Sequence, residues 1–160
     1  KPTEAGSSFG VSKVVEKNQL LNAINHAFEH SEEVIVEAFI TGRELTNGIY
    51  RNREGIQVLP ITEIISENEF FDYEAKYKGK SNEVTPAQIS IALEKDIKDL
   101  TYKIYEILGM QGIARMDYIV NNDGIPFLIE INSVPGMSRE SIVPQMIEEE
   151  NIHIKDFFNF

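Results

Sequence analysis

The sequence contains no cysteine, no tryptophan and no long apolar run. Without cysteine the chain forms no disulfide, which fits a reducing compartment such as the cytoplasm. Its apolar segments are all shorter than a transmembrane helix requires, and no signal peptide is recognisable. We therefore expect a cytoplasmic protein with no role in a membrane.

Basic residues are also scarce: 26 acidic residues stand against 15 basic ones, and the formal net charge is −11. Nucleic acids and membrane surfaces bind basic faces, so we expect neither as a partner. A ligand that carries phosphate must then be met by a few placed cations or by metal ions. The 160 residues suffice for one domain, or for one domain and a piece of another. Because the chain enters directly at Lys1 with no leading strand or helix, we expect a fragment of a longer protein.

The most informative stretch is 112–136, where two β-prone segments flank an Asp-Gly pair at 123–124. This pair predicts a β-hairpin, because both central residues of a type I′ turn need positive φ. A two-residue loop there places Asn122 opposite Ile125. Continued along the strands, this register brings four polar residues onto one face, in the pairs Asp117 with Glu130 and Arg115 with Asn132.

That polar face has the composition of a metal site. Carboxylates directly opposite one another repel unless a positive group lies between them. Oxygen ligands from Asp, Glu and Asn suit Mg²⁺ or Mn²⁺, which also take water and phosphate oxygens. The alternative is an ordinary solvated hairpin face, and the spacing alone does not decide between the two.

Short β-prone segments joined by turns indicate an α+β protein rather than a doubly wound sheet. The longest run of apolar residues at helical spacing predicts a helix. It begins either at Thr85, in a capping box with proline at the first helical position, or at Ser90. Gly109 supplies its stop, and a further helix is predicted over 139–150. The predicted strands outside the hairpin cover residues 11–15, 33–40, 43–50 and 56–65.

A helix is also predicted from Asn18 onwards, because asparagine is a favoured N-cap and apolar residues follow at helical spacing. Its two histidines, His26 and His30, lie four residues apart. We see no acidic partner at metal-ligand spacing beside them. We therefore interpret them as surface histidines.

Three further segments carry candidate binding groups. The loop 1–10 is rich in Gly and Ser, which lets backbone N–H groups approach an anion, although it is not a Walker A loop. Glu37 and Glu44 could accept ribose hydroxyls and an adenine amino group, or they are ordinary edge-strand residues. The segment 70–81 predicts a strand that runs into a mobile loop. There Lys76 could reach a terminal phosphate, or the segment is simply an amphipathic edge.

Five segments, in this order and spacing, resemble the later half of the D-alanine–D-alanine ligases, which are ATP-grasp enzymes: GSSFGVSKV, VIVEAFITGRE, FDYEAKY, ARMDYIV and EINSVPGMSRESIVP. The resemblance covers essentially the whole chain. It implies an ATP-grasp fold, with 1–42 as the remainder of the central nucleotide-binding subdomain and 43–160 as the C-terminal catalytic domain. That domain is expected to be a mainly antiparallel sheet flanked by helices.

The implied reaction joins two D-alanines for peptidoglycan synthesis, with ATP and two Mg²⁺ or Mn²⁺ ions, through an acyl phosphate. The resemblance places Lys1 and Lys76 at the phosphates of the nucleotide. It places Glu37 on the adenine side and Glu44 on the ribose side. Three further residues are implied to line the adenine: Ala38, Phe39 and Ile40.

The resemblance also assigns the residues that act on the substrates. Arg115 and the N–H of Gly136 match groups that stabilise the tetrahedral intermediate, and Ser141 matches the site of the second alanine's carboxylate. Ser7 and Tyr77 match a hydrogen-bonded pair beside the substrates. The implied metal ligands are Asp117, Glu130 and Asn132, with the glutamate shared between the two ions.

In that family a tyrosine at the position of Tyr77 accompanies dipeptide formation, whereas phenylalanine accompanies ester formation. The sequence therefore favours a dipeptide product. The N-terminal domain of the family is absent from this chain, so we expect the chain alone to be inactive. The resemblance also implies that the parent is a homodimer. Two alternatives stay open: another ATP-grasp carboxylate–amine ligase, or a nucleotide-binding module without catalysis.

Overall fold

The computed structural model describes residues 1–4, 8–66 and 81–158. The described residues fall into two compact units. The first contains Lys1–Ile40, and the second contains Thr41–Ile65 and the chain from Asn82 onwards. Among the described helices, none combines the length and the hydropathy needed to cross a membrane.

One helix dominates the first unit. A 3-10 turn at Lys17–Gln19 leads directly into α1, Leu20–Phe28. Glu16 precedes the turn in a capping box, in which the Gln19 side chain accepts the backbone N–H of Glu16 at 3.0 Å. The predicted N-cap at Asn18 is therefore wrong, because the reciprocal bonds of Glu16 and Gln19 start the turn two residues earlier.

The strands predicted over 11–15 and 33–40 do not form. In the second of these segments, Val34 makes a single antiparallel bridge with Pro2. A β-prone sequence becomes a strand only when a neighbouring strand takes up its backbone hydrogen bonds. Among the described residues, only the bridge at Pro2 does so for this segment.

The second unit is a five-stranded sheet in the order β3-β2-β1-β4-β5. β1 lies antiparallel to both β2 and β4, and β4 lies antiparallel to β5. The predicted α+β class and the strands predicted over 43–50 and 56–65 are confirmed. The strands are β1 Gly42–Asn52, β2 Gly55–Ser66, β3 Ser81–Val84, β4 Ile113–Asn121 and β5 Pro126–Asn132.

The longest helix, α2, covers Ile91–Ile107 and begins after Ser90. The Ser90 hydroxyl accepts the N–H three residues further on at 3.2 Å, so serine is the N-cap. The alternative start at Thr85 is wrong, because the Thr85 hydroxyl is bonded to the hydroxyl of Thr62 at 2.6 Å instead. Gly109 follows the helix with a φ of +59°, as its predicted role as a stop requires.

Two apolar clusters cover opposite faces of the sheet, since alternate residues of a strand point to opposite sides. α2 packs on one face, where Ile97 and Tyr105 meet alternate residues of β4 from Ala114 to Val120. The other face is covered by α3, Ile142–Glu149, and α4, Ile154–Phe157. Ile113 of β4 belongs to this second cluster.

Candidate functional site

The β4–β5 hairpin brings together the four polar residues that the sequence singled out. Asp117 lies opposite Glu130, and Arg115 lies opposite Asn132, so the predicted register is confirmed at this end. Arg115 and Asp117 follow Ile113 at intervals of two. They therefore share the face of the sheet that α3 covers.

The loop of the hairpin is wider than predicted. Asn121 donates its N–H to the carbonyl of Ile125 at 3.1 Å, so the loop has three residues and the predicted pair of Asn122 with Ile125 is wrong. The Asn121 side chain causes the difference, because its Oδ1 accepts the N–H groups of both Asp123 and Ile125. Gly124 closes the loop with a φ of +79°, a left-handed conformation that suits glycine.

A bulge in β5 then restores the register. Tyr118 pairs with Leu128 while Asp117 pairs with Glu130, so Ile129 is an extra residue on β5. The extra residue in the loop and the extra residue in the strand shift the pairing in opposite directions. The polar end of the hairpin consequently has the register that a two-residue loop without a bulge predicts.

Arg115 and Asp117 form a two-pronged ion pair. Nε of Arg115 donates to Oδ1 of Asp117 at 2.8 Å, and Nη2 donates to Oδ2 at 2.7 Å. Thr46 lies opposite Asp117 on β1 and donates its hydroxyl to the same Oδ1 at 2.5 Å. The side chains of Arg115 and Asp117 are only 20% and 19% exposed, so the pair is largely screened from water.

The environment keeps both members of this pair charged. Burial raises the pKa of the Asp117 carboxyl, but the bonds and charge of Arg115, with the Thr46 hydroxyl, outweigh burial and hold that pKa below its ordinary value. Burial lowers the pKa of Arg115, whereas the bond to Asp117 and the charges of Glu130 and Glu83 raise it above its usual range. The pair is therefore ionised and carries no net charge at neutral pH.

Glu130 adds a negative charge that Arg115 does not neutralise. Its Oε1 lies 4.0 Å from Nη2 of Arg115 and accepts the side-chain N–H of Asn132 at 3.2 Å. The Glu130 side chain is 51% exposed, so it remains open to a ligand. Asp117, Glu130 and Asn132 present oxygen donors beside a surplus negative charge, which is the donor chemistry of a hard divalent cation.

The loop after β5 holds two more of the predicted residues. A Cβ at Gly136 would lie 2.8 Å from Oγ of Ser141, so glycine is needed for this approach. The Ser141 hydroxyl also lies 3.0 Å from the hydroxyl of Ser138, and Ser141 immediately precedes α3. The two predicted groups thus form one cluster at the start of that helix.

Sequence reasoning missed several residues that shape this face. Gly48 of β1 lies opposite Arg115, and a Cβ there would come within 3.1 Å of the Met146 sulfur on α3. Gln145 of α3 donates to a carboxylate oxygen of Glu83 on β3 at 2.8 Å. These contacts join distant segments, so no local pattern in the sequence marks them.

The residues predicted to contact the nucleotide lie in both units. In the first, Nζ of Lys1 pairs with the carboxylate of Glu37 at 2.7 Å. Nζ of Lys13 lies 4.1 Å from the ring centroid of Phe39. Glu44 belongs to β1 in the second unit, and its Cα partners are residues of β2 and β4.

Of the remaining predicted residues, Ala38 is exposed and Ile40 is half-buried at the end of the first unit. Ser7, Lys76 and Tyr77 lie outside the described residues, as does most of the segment predicted over 70–81. Their roles stay predictions.

Comparison with known proteins gives one consistent family. The family model described as D-ala D-ala ligase C-terminus matches residues 1–159. The D-alanine–D-alanine ligase of Bacteroides fragilis is 47% identical over 156 residues, which are 98% of this chain and 48% of the relative. That of Flavobacterium johnsoniae is 44% identical over 158 residues, or 99% of this chain and 49% of the relative. The chain thus spans about half the length of the curated relatives it matches.

Solved structures give the same result. The D-Ala:D-Ser ligase VanG of Enterococcus faecalis is 37% identical, with a TM-score of 0.88 over 99% of this chain and 46% of that one. The D-alanine–D-alanine ligase of Bacillus anthracis, complexed with ATP, is 28% identical, with a TM-score of 0.81 over 99% of this chain and 48% of that one.

Proposed function

Because the chain belongs to the family of D-alanine–D-alanine ligase C-terminal domains and has their ATP-grasp fold, we propose that it is the C-terminal half of an ATP-dependent D-alanine–D-alanine ligase. The observation that carries the proposal is the charged face of the β4–β5 hairpin. There Asp117 and Glu130 lie opposite one another, with the guanidinium of Arg115 beside them. Opposed carboxylates repel, and the charge of Glu130 is not neutralised by Arg115, so this face favours a bound cation.

The metal ligands would be Asp117, Glu130 and Asn132. They would hold two Mg²⁺ or Mn²⁺ ions, with Glu130 shared between them. When bound, the ions supply positive charge to the phosphates of ATP, which the acidic chain does not provide with its own side chains. The oxygen-only donors and the uncompensated charge of Glu130 support this assignment. Thr46 orients the Asp117 carboxylate through its hydrogen bond.

Arg115 would stabilise the charge that develops on the substrates. Its guanidinium lies on the same face as the carboxylates and is held there by the two bonds to Asp117. It would donate first to phosphoryl oxygens and then to the oxyanion of the tetrahedral intermediate, with the N–H of Gly136 as a second donor. Ser141, whose hydroxyl lies against Gly136, would bind the carboxylate of the second alanine.

The nucleotide itself would be bound by residues that lie far apart in the sequence. Lys1 would contact its phosphates, and Glu37 and Glu44 its adenine and ribose sides. Lys1 and Glu37 form a partly exposed ion pair. Ion pairs that are open to water contribute little stability, so breaking this one to bind a nucleotide would cost little. We assign the lining of the adenine to Ala38, Phe39 and Ile40, the terminal phosphates to Lys76, and the substrate-side pair to Ser7 and Tyr77.

In this proposal residues 1–42 end the central nucleotide-binding subdomain, and 43–160 form the C-terminal catalytic domain. The parent is a cytoplasmic homodimer that makes D-Ala-D-Ala for peptidoglycan through an acyl phosphate, and the 160-residue chain alone has no ligase activity. A second candidate is a ligase that joins D-alanine to D-serine, because the VanG structure aligns with nearly the whole chain.

A panel of second substrates tests the proposal on the full-length parent. With D-alanine as first substrate, ADP release is measured with D-alanine, D-serine or D-lactate as second substrate. We expect D-alanine to be used fastest. Faster use of D-serine would support the second candidate, and no ADP release with any of the three would support a module without catalysis.

The metal role has its own test in the same assay. Glu130→Gln keeps the shape of the side chain but removes its charge, and we expect it to reduce the ligation rate by about 100-fold or more, since it weakens the charge stabilisation of phosphoryl transfer. Glu106→Gln, on the exposed surface of α2, is the matched control and should leave the rate unchanged. Full activity of Glu130→Gln would refute the assignment.

A further inference from the structure

The end of α1 carries a cluster of possible metal ligands that the proposed ligase reaction does not use. His26, Glu29 and His30 follow one another with the spacing H-x-x-E-H. His26 lies in the last turn of α1, and Glu29 is the C-cap of the helix. His30 follows in a turn, where its N–H donates to the carbonyl of Ala27 at 3.1 Å. All three side chains are exposed. The same spacing places two histidines on a zinc ion in one class of metallohydrolases.

The geometry supplies the acidic partner that the sequence analysis did not recognise. Nδ1 of His26 lies 3.2 Å from Oε2 of Glu29. The rings of His26 and His30 lie edge to face, with centroids 5.2 Å apart. One ligand atom from each of the three residues lies within 4.8 Å of the other two. Small side-chain rotations would bring all three to one ion.

His30 is also restrained by its surroundings. A Cβ at Gly10 would lie 2.6 Å from Cδ2 of His30, so the imidazole packs directly on the glycine backbone. The ring of Phe9 lies beside the same imidazole in a tilted arrangement, with centroids 6.5 Å apart. Ligands that are held in place before binding lose less conformational entropy when a metal binds.

We propose that His26, Glu29 and His30 form a binding site for a divalent transition-metal ion such as Zn²⁺. Two imidazoles and one carboxylate are the ligand set of zinc sites that keep a fourth position open, whereas Mg²⁺ prefers oxygen ligands alone. His26 also lines an open groove of about 640 Å³ together with Lys13, Gln19 and Asn22. The fourth position is therefore accessible to water or a small anion.

Calorimetric titration of the metal-free 160-residue chain with Zn²⁺ tests the site, with Mg²⁺ present in excess to occupy oxygen-only sites. We expect one Zn²⁺ per chain, with affinity reduced about tenfold or more by His26→Ala or His30→Ala, since even an outer-shell partner of a metal site contributes that much. His153→Ala replaces the third histidine of the chain, which lies outside the cluster, and should leave the affinity unchanged. Absence of binding, or equal binding by all three variants, would overturn the proposal.

A second measurement needs no substitution at the site. The chain has three histidines, and paramagnetic Ni²⁺ should broaden the NMR ring signals of two of them and spare that of His153. Uniform broadening of all three would contradict the proposal. Neither experiment measures ligation or involves the residues of the β4–β5 hairpin. The outcome is therefore independent of whether the ligase proposal is correct.

Discussion

The ion pair of Arg115 and Asp117 is costly to bury and is stabilised by its geometry. Two parallel N–H···O bonds and the hydroxyl of Thr46 satisfy the carboxylate. Removing one partner of such a pair leaves the other charge partly buried without compensation. Each member of the pair therefore depends on the other for its tolerance in the folded protein.

Replacing Arg115 with Met should lower the free energy of unfolding by about 1.5–3 kcal/mol at pH 7, because Asp117 loses its charged donor. The pKa of Asp117 is lowered in the folded protein, so the stability from its ionised form is present above its unfolded pKa and is lost as the pH falls through the folded value. The difference between the two proteins should hence shrink in acid. Urea denaturation at pH 7, 5 and 3 measures it.

Arg53→Met is the control for this substitution, since Arg53 is exposed in the turn between β1 and β2. It should change the stability by less than about 0.5 kcal/mol at each pH. If Arg115→Met were equally neutral at pH 7, the ion pair would contribute no net stability.

Gly136 is a second position where the addition of one carbon atom should change substrate binding. In Gly136→Ala the new Cβ would meet Oγ of Ser141, which lies only 2.8 Å from its position, so the hydroxyl must turn away. We expect the KM for the second D-alanine of the full-length parent to rise about tenfold, because a hydrogen bond to a carboxylate is lost. Val134→Ala, at an 89% exposed position of the same loop, should leave this KM unchanged. If both variants had the same KM, the second substrate would not bind beside Gly136 and Ser141.

Among the secondary-structure elements, α3 is connected by a side-chain hydrogen bond to β3, the strand at one edge of the sheet. Gln145 of α3 donates to Glu83 of β3, and the same amide nitrogen lies 3.5 Å from the carbonyl of Glu140. The bond thus connects β3 with the helix that follows Ser141. Neither residue belongs to a motif, and each is recognisable only in the folded chain.

A double-mutant cycle of Gln145→Ala and Glu83→Ala measures this connection. We expect each single variant to lower the free energy of unfolding by about 1 kcal/mol, with a coupling energy of about 1 kcal/mol between them, because either change breaks the same partly buried bond. Chemical denaturation of the four proteins gives the value. Strictly additive effects would mean that the bond does not form in solution.

The β4–β5 hairpin illustrates how far the sequence determines the structure of a single element. The pairing of Asp117 with Glu130 follows from the alternation of the strands and is correct. The three-residue loop was missed, because it depends on the side-chain bonds of Asn121 rather than on the alternation. The bulge at Ile129, which the alternation does not predict either, was also missed. The placement of Asp117 opposite Glu130 was thus predictable, whereas that of Thr46, which opposes Asp117 from a strand 71 residues away in sequence, was not.

Strand formation was predicted correctly only where a neighbouring strand exists. The segments 43–50 and 56–65 pair with each other as a hairpin. The equally β-prone segment 33–40 has a single bridge in the described part of the chain, so its pattern does not become a strand. Composition reports the propensity of a segment, and pairing decides whether the segment is a strand.

For the molecule as a whole, burial is distributed unevenly between the two units. Both apolar clusters belong to the second unit. In the first unit the buried residues of the described part are Pro2, Gly10 and Ala27, whereas Leu21 and Val36 are each 67% exposed. Local stability follows the number of buried apolar contacts and protected hydrogen bonds. The two units should therefore differ in how often their backbone opens.

Hydrogen–deuterium exchange of the 160-residue chain should resolve this difference. We expect amides of the central strands β1 and β4 to exchange at least about tenfold more slowly than those of α1, because opening the sheet exposes both apolar clusters and opening α1 exposes few buried groups. Peptides from α2 serve as an internal reference, since this helix has the same type of hydrogen bond as α1 but buries Ile97 and Tyr105. Protection of α1 equal to that of α2 would mean that the helical hydrogen bonds, and not the burial of side chains, set the local stability of this protein.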